Sequence, residues 1–78
     1  MAEKMDSDRI KEIYKLCRSH FGDVRFVGIK YQNKIGWMAK AELGEDFENL
    51  TADGKTSTDA LRKLRDRVKK IMKRYNGV

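Results

Sequence analysis

A stripe of apolar residues at helical spacing runs through the last third of the chain and constrains its fold more than any other feature. The stripe recurs every three or four residues for about five turns, which predicts a long amphipathic helix. Its members are Leu61, Leu64, Val68, Ile71, Met72 and Tyr75. A chain of 78 residues has room for one core. The rest of the chain must therefore supply the apolar surface against which this stripe is buried.

Local signals mark both ends of this helix. Thr56, with Asp59 three residues further on, resembles a capping box, which satisfies free N–H groups of the first turn. Asn76 and Gly77 follow the stripe, and both residue types commonly end helices. We therefore predict a helix with Thr56 as its N-cap and its end at about Asn76.

A shorter apolar stripe predicts another helix near the N-terminus. Its members are Ile10, Ile13, Tyr14, Cys17 and Phe21, with Leu16 at the edge. Residues 6–8 offer an N-cap, and Gly22 offers a stop. These signals predict a helix from about Asp8 to His20, preceded by disorder in residues 1–6.

Alternating residues in the middle of the chain predict strands. Val24 to Tyr31 is apolar on both alternating sets, so its register stays open. Gln32, Asn33 and Lys34 are typical of a hairpin turn, in which Asn33 tolerates a left-handed backbone. A second strand alternates cleanly, with one buried face formed by Ile35, Trp37, Ala39, Ala41 and Leu43.

The order of elements predicts the fold class. After a turn at residues 44–46, Phe47 to Ala52 is a weaker third strand, expected at the sheet edge. Hairpin connections make the three strands antiparallel, and both helices need the same apolar face. The chain, residues 1–78, is therefore expected to be a single α+β domain. Its predicted architecture is a two-layer sandwich with two helices packed on one face of a three-stranded antiparallel sheet.

The positive charge of the chain is concentrated in its last third. The net charge is +6. Nine basic and two acidic residues from position 55 onward give +7, whereas nine basic and ten acidic residues before it give −1. The candidate binding residues are accordingly the basic residues of the last helix: Arg62, Lys63, Arg65, Arg67, Lys69, Lys70, Lys73 and Arg74.

This basic surface has two interpretations of equal weight. A one-signed cationic face attracts polyanions by releasing their counterions, which points to nucleic-acid phosphates contacted without sequence specificity. The alternative is a solubilising surface, on a helix packed against the core, that binds no ligand. A membrane-surface role is disfavoured, because the apolar side of the helix is needed for the core. The aromatic residues Tyr31 and Trp37 are expected in the core rather than as exposed stacking groups.

Enzymatic and metal chemistry lack the residues they require. His20 is the only histidine and Cys17 the only cysteine, so a structural zinc site is excluded. Cys17 lies on an apolar stripe, which predicts a buried, inert thiol. An acidic patch at Glu42, Glu45, Asp46 and Glu48 lacks the spacing of a calcium loop and is expected to be a solvated edge. We predict no enzyme, no cofactor and no metal.

The single cysteine and the absence of a signal-like or membrane-spanning apolar run favour a soluble protein of the reducing cytoplasm. The sequence leaves the oligomeric state open, a homodimer included.

The helix–three strands–helix order resembles the double-stranded RNA-binding domain. That resemblance covers most of the chain and implies duplex RNA as the ligand. The family places a lysine cluster at the start of its second helix to hold phosphates. Here that position is Thr56-Ser57-Thr58-Asp59, with only Lys55 nearby.

Two short segments are similar to the partial fold of HicB-type antitoxins. They are Gly36-Trp37-Met38-Ala39 and Gly54-Lys55-Thr56, the latter followed by Asp59-Ala60-Leu61 and Leu64. The resemblance covers about half the chain and implies a non-catalytic protein that binds a protein partner.

From the basic helix we expect a small non-enzymatic binding module that contacts nucleic-acid phosphates. The alternative is an antitoxin-like inhibitor or adaptor, of the kind encoded by mobile elements, that blocks an acidic or nucleic-acid-binding surface of a partner protein.

Overall fold

The computed structural model describes residues 5–44 and 47–76. Two helices and three strands follow one another in the order α-β-β-β-α: α1 (Asp6–Phe21), β1 (Val24–Gln32), β2 (Gly36–Leu43), β3 (Leu50–Gly54) and α2 (Ser57–Asn76). The strands form one antiparallel sheet in the order β1-β2-β3. The predicted α+β class and order of elements are confirmed, and β3 lies at a sheet edge as expected.

Both helices pack on the same face of the sheet, because their buried residues meet the same face of β2. The buried core of the described residues consists of Ile13, Cys17, Ala39, Ala41, Leu43, Ala60, Leu61, Leu64 and Val68. Ala39 and Ala41 are small, which leaves room for the two helices above the central strand. Contacts join α1 and α2 in the same sequence order: Asp6 with Ser57 and Thr58, and Glu12 with Arg65. The helices therefore run in the same direction.

The start of α1 differs from the prediction. The helix begins at Asp6, its N-cap is Met5, and no side chain caps it. The Asp6 carboxylate instead accepts hydrogen bonds from the hydroxyls of Ser57 and Thr58, the latter at 3.0 Å. A residue predicted to serve its own helix thus ties the starts of both helices together. Of residues 1–6, for which disorder is predicted, Met5 and Asp6 are the N-cap and first residue of α1, and residues 1–4 lie outside the described part of the chain.

A β-bulge resolves the open register of β1. Pairing with β2 shifts between Val24 and Phe26, so the strand changes its alternation there. Val24, Val27 and Ile29 consequently all pack toward the core. Phe26 points to the outer face and is 49% exposed. The sequence is apolar on both alternating sets because this one strand uses both.

The hairpin turn lies one residue later than predicted. Ile35 belongs to the turn and is 56% exposed, so its assignment to the buried face of β2 is wrong. The Ile35 N–H donates to the Gln32 carbonyl at 3.1 Å, and Gly36 follows with φ +94°. No other residue type among those described has a positive φ, so Asn33 does not take the left-handed role. A turn followed by a left-handed glycine is a common three-residue hairpin connection.

The third strand also begins later than its predicted start at Phe47. Leu50 and Ala52 pack toward the core, whereas Phe47 lies before the strand and packs its ring against Phe21. The Asn49 side-chain oxygen accepts a hydrogen bond from the Leu43 N–H at 3.3 Å. Residues 45 and 46 of the predicted turn lie outside the described residues.

The close approach of β3 to α2 requires Gly54. A Cβ atom at this position would lie 2.5 Å from the Ala60 nitrogen and 2.8 Å from the Asp59 Cβ. The Thr56 hydroxyl then accepts a hydrogen bond from the Asp59 N–H at 3.1 Å, which confirms Thr56 as the N-cap. Leu61, Leu64 and Val68 are fully buried as predicted. The Tyr75 side chain and Gly77 lie outside the described part of the chain.

Candidate functional site: the basic rows of the second helix

The eight predicted binding residues form two rows along α2, one on each side of its buried stripe. Residues three or four apart lie on the same side of a helix. The α1-side row consists of Arg62, Arg65, Lys69 and Lys73, and the β3-side row consists of Lys63, Arg67, Lys70 and Arg74. Seven of the eight are exposed, and Arg65 is half-buried. By the same periodicity, Asp59 and Asp66 lie between the rows and interrupt the cationic surface.

Arg65 differs from the other members because it forms an ion pair with a described carboxylate. Its Nη2 lies 2.9 Å from a carboxylate oxygen of Glu12 on α1. Its Nε is buried and has no hydrogen-bond partner among the described residues. A partly exposed ion pair of this kind contributes up to about 1 kcal/mol to stability. Arg65 therefore holds α1 against α2 more than it offers charge to a ligand.

The β3-side row lines a groove between α2 and the free edge of β3. This β3-side groove has a volume of about 700 Å³, and its lining residues are Ala52, Asp53, Lys63, Asp66, Arg67, Lys70, Ile71 and Arg74. Arg67 donates a hydrogen bond to the backbone carbonyl of Thr51. That bond caps a carbonyl at the open edge of the sheet and anchors one wall of the groove. The groove therefore combines four cations with two carboxylates over a small apolar floor.

A second, more apolar cavity, the end pocket, continues this groove toward the C-terminal end of α2. Its volume is about 340 Å³, and its lining residues are Phe21, Leu43, Phe47, Glu48, Leu50, Ile71 and Arg74. Ile71 and Arg74 line both cavities. The rings of Phe21 and Phe47 meet edge to face, with centroids 4.8 Å apart. Sequence patterns did not reveal this pocket, because Phe47 was assigned to a strand.

Six cations of the two rows make no hydrogen bond or ion pair with any described residue. They are Arg62, Lys63, Lys69, Lys70, Lys73 and Arg74. Unpaired cations on a packed helix keep their counterions until a polyanion displaces them.

Cys17 and His20, the only cysteine and histidine of the sequence, both lie in packed surroundings. Cys17 is fully buried, and this burial raises the pKa of its thiol from 9.0 to about 11. The His20 ring packs edge to face against Phe21 at 5.0 Å. No group of three or more metal-ligating side chains comes together within residues 5–44 and 47–74. In the acidic patch, Glu42 pairs with Lys40 at 3.0 Å, while Glu45 and Asp46 lie outside the described residues.

The strand aromatics are only partly in the core. Tyr31 is 55% exposed, contrary to the sequence expectation, and Trp37 is half-buried. Their rings lie 5.3 Å apart at an angle of 58°. They occupy the hairpin end of the sheet and do not line the β3-side groove or the end pocket.

No helix in the described part of the chain is long and apolar enough to cross a membrane. Comparison of the chain with protein-family models, with curated proteins and with solved structures finds no match. The functional assignment therefore depends on the basic rows and on the cavities beside them.

Proposed function

We propose that this protein is a non-enzymatic binding module that contacts nucleic-acid phosphates through α2, without sequence specificity. The proposal rests mainly on the six cations of the two rows that are exposed and have no partner among the described residues. They project from one helix that is held by fully buried leucine and valine side chains. The helix backbone that carries them is therefore fixed before any ligand arrives, which lowers the entropic cost of binding.

The scarcity of ion pairs on this surface supports phosphate binding. Cations that already form ion pairs must give up those pairs before they bind phosphate, and among the eight only Arg65 pairs with a described carboxylate. The six cations without a described partner release only mobile counterions, so the affinity gains from each phosphate they neutralise. The net charge of +7 from residue 55 onward adds long-range attraction for a polyanion.

The distribution of charge favours contact along the length of α2 rather than at its start. Near the start of the helix, Thr56 serves as N-cap and Ser57 and Thr58 bind Asp6, so these groups are occupied. The cations instead extend from Arg62 to Arg74, about 18 Å along the helix axis. A run of several consecutive phosphates matches that length.

A fluorescence-anisotropy titration with labelled DNA and RNA oligomers tests the proposal. We expect binding at about 50 mM salt that weakens at least tenfold by about 200 mM, since each phosphate contact adds to the salt dependence. Absence of binding to any oligomer at the lower salt concentration would refute the proposal. A single stoichiometric protein partner that survives nuclease treatment would then favour the antitoxin-like alternative.

A further inference from the structure

We propose that the preferred ligand is a single-stranded nucleic acid, with its backbone along the β3-side groove and one unpaired base in the end pocket. This inference rests on the proposed function of α2 and specifies the form of nucleic acid that it binds.

Continuity of the two cavities is the first argument. Ile71 and Arg74 belong to the lining of both, so a strand that follows Lys63, Arg67 and Lys70 reaches the end pocket without leaving the surface. Arg74 lies at the junction, where it can contact the phosphate next to an inserted base. A cationic groove that ends on aromatic rings is the arrangement that single-strand binding proteins use.

The chemistry of the end pocket is the second argument. Two phenylalanine rings line it together with Leu50 and Ile71, so an inserted base would contact aromatic and aliphatic side chains as well as Glu48 and Arg74. Its volume of about 340 Å³ admits a planar base. In a duplex the bases are paired and stacked, and one of them enters such a pocket only after unstacking. An unpaired base has no such barrier.

The position of α1 is the third argument. Here α1 packs beside α2 on the same face of the sheet, and the Glu12–Arg65 pair joins the two helices. α1 thus flanks one side of α2. The other side lies open at the β3-side groove, where the backbone of a single strand can follow the cations.

The experiment compares three ligands in anisotropy titrations with the full chain. They are an oligothymidylate of about 12 nucleotides, within the usual site size, an abasic strand of the same length, and a duplex of the same length. Phosphate contact alone predicts that the abasic strand binds as well as the oligothymidylate, and that the duplex binds at least as well because its charge density is higher. Base insertion predicts that the oligothymidylate binds more tightly than both the abasic strand and the duplex.

We expect oligothymidylate to bind roughly tenfold more tightly than its abasic analogue. Phe47→Leu keeps an apolar side chain and removes the ring, so it should close most of that gap. Phe26→Leu is the matched control: Phe26 is an exposed aromatic on the opposite face of the sheet, and its loss should leave the gap unchanged. Thermal unfolding of both variants verifies that they fold.

Equal affinities of the wild-type chain for the base-containing and abasic strands would overturn this inference, and so would tighter binding of the duplex. Neither result affects the proposed function, because α2 would still bind phosphates. An unchanged gap in a folded Phe47→Leu variant would also overturn it. Absence of binding to all three ligands would refute the proposed function and this inference with it. The wild-type comparison decides the question even if Phe47→Leu fails to fold.

Discussion

Gly54→Ala should destabilise the fold, because it adds an atom where β3 meets the start of α2. The new Cβ would lie 2.5 Å from the Ala60 nitrogen and 2.8 Å from the Asp59 Cβ. Overpacking costs about 1–3 kcal/mol, and contact with backbone places this site near the upper end. The reduced freedom of the unfolded chain offsets about 0.5–1 kcal/mol. We expect a net loss of about 2 kcal/mol, which lowers the melting temperature by about 8–16 °C.

Gly28→Ala is the matched control for this prediction. A Cβ at Gly28 would overlap the tip of the Phe26 ring, which is a movable and half-exposed side chain. That ring can rotate away, so we expect a change within about 1 kcal/mol in either direction. Thermal unfolding followed by circular dichroism measures both variants. Equal destabilisation by the two substitutions, or a neutral Gly54→Ala, would refute the reasoning that a rigid backbone contact sets the position of α2.

Three further predictions concern single side chains. Asp6→Ala should lower the free energy of unfolding, measured by urea titration, by about 1–3 kcal/mol, because two hydroxyls of α2 lose their acceptor. Asp8→Ala should cost less, and equal losses would contradict the tie between the helices. The raised pKa of Cys17 keeps the folded thiol neutral while the unfolded thiol ionises, so stability should fall as the pH rises from 9.0 to about 11. Cys17→Ala should show a shallower decline over that range, and an identical decline would contradict the burial argument. Arg65→Gln should flatten the salt dependence of binding less than Lys69→Gln does, because Arg65 is paired with α1; a larger effect at Arg65 would contradict that assignment.

Local patterns predicted the helices well. Thr56 caps α2 by accepting a hydrogen bond from the Asp59 N–H. Gly22 ends α1 with φ +87°, and its N–H donates to the Arg18 carbonyl at 3.1 Å. Interactions within one or two turns determine both ends. The stripe of α2 was likewise visible, because helical periodicity alone reveals which side is buried.

Features that depend on distant contacts could not be predicted. Asp6 appeared to be a local cap, yet it binds hydroxyls that lie more than fifty positions along the chain. Ile35 was assigned to a strand from alternation alone, whereas the left-handed glycine after it sets the turn. A bulge near Phe26 is also invisible in a pattern that is apolar on both faces.

The basic residues of the candidate site could be predicted from the sequence, but the neighbours of each row could not. Helical spacing indicated two rows, and the structure places α1 beside one row and β3 beside the other. The pairing of Arg65 with Glu12 depends on how α1 packs, and the β3-side groove depends on where β3 begins. Neither follows from charge alone.

Two triple variants test the central claim most directly through the slope of log Kobs against log salt concentration. Lys69, Lys70 and Lys73 changed together to Gln remove three exposed cations of α2. Lys11, Lys15 and Lys34 changed together to Gln remove the same charge from exposed positions elsewhere. We predict that the first variant flattens the slope by about 2–3 and that the second leaves it nearly unchanged, since each lost phosphate contact removes about 0.7–0.9. Equal flattening by both variants would contradict the claim that α2 is the binding surface.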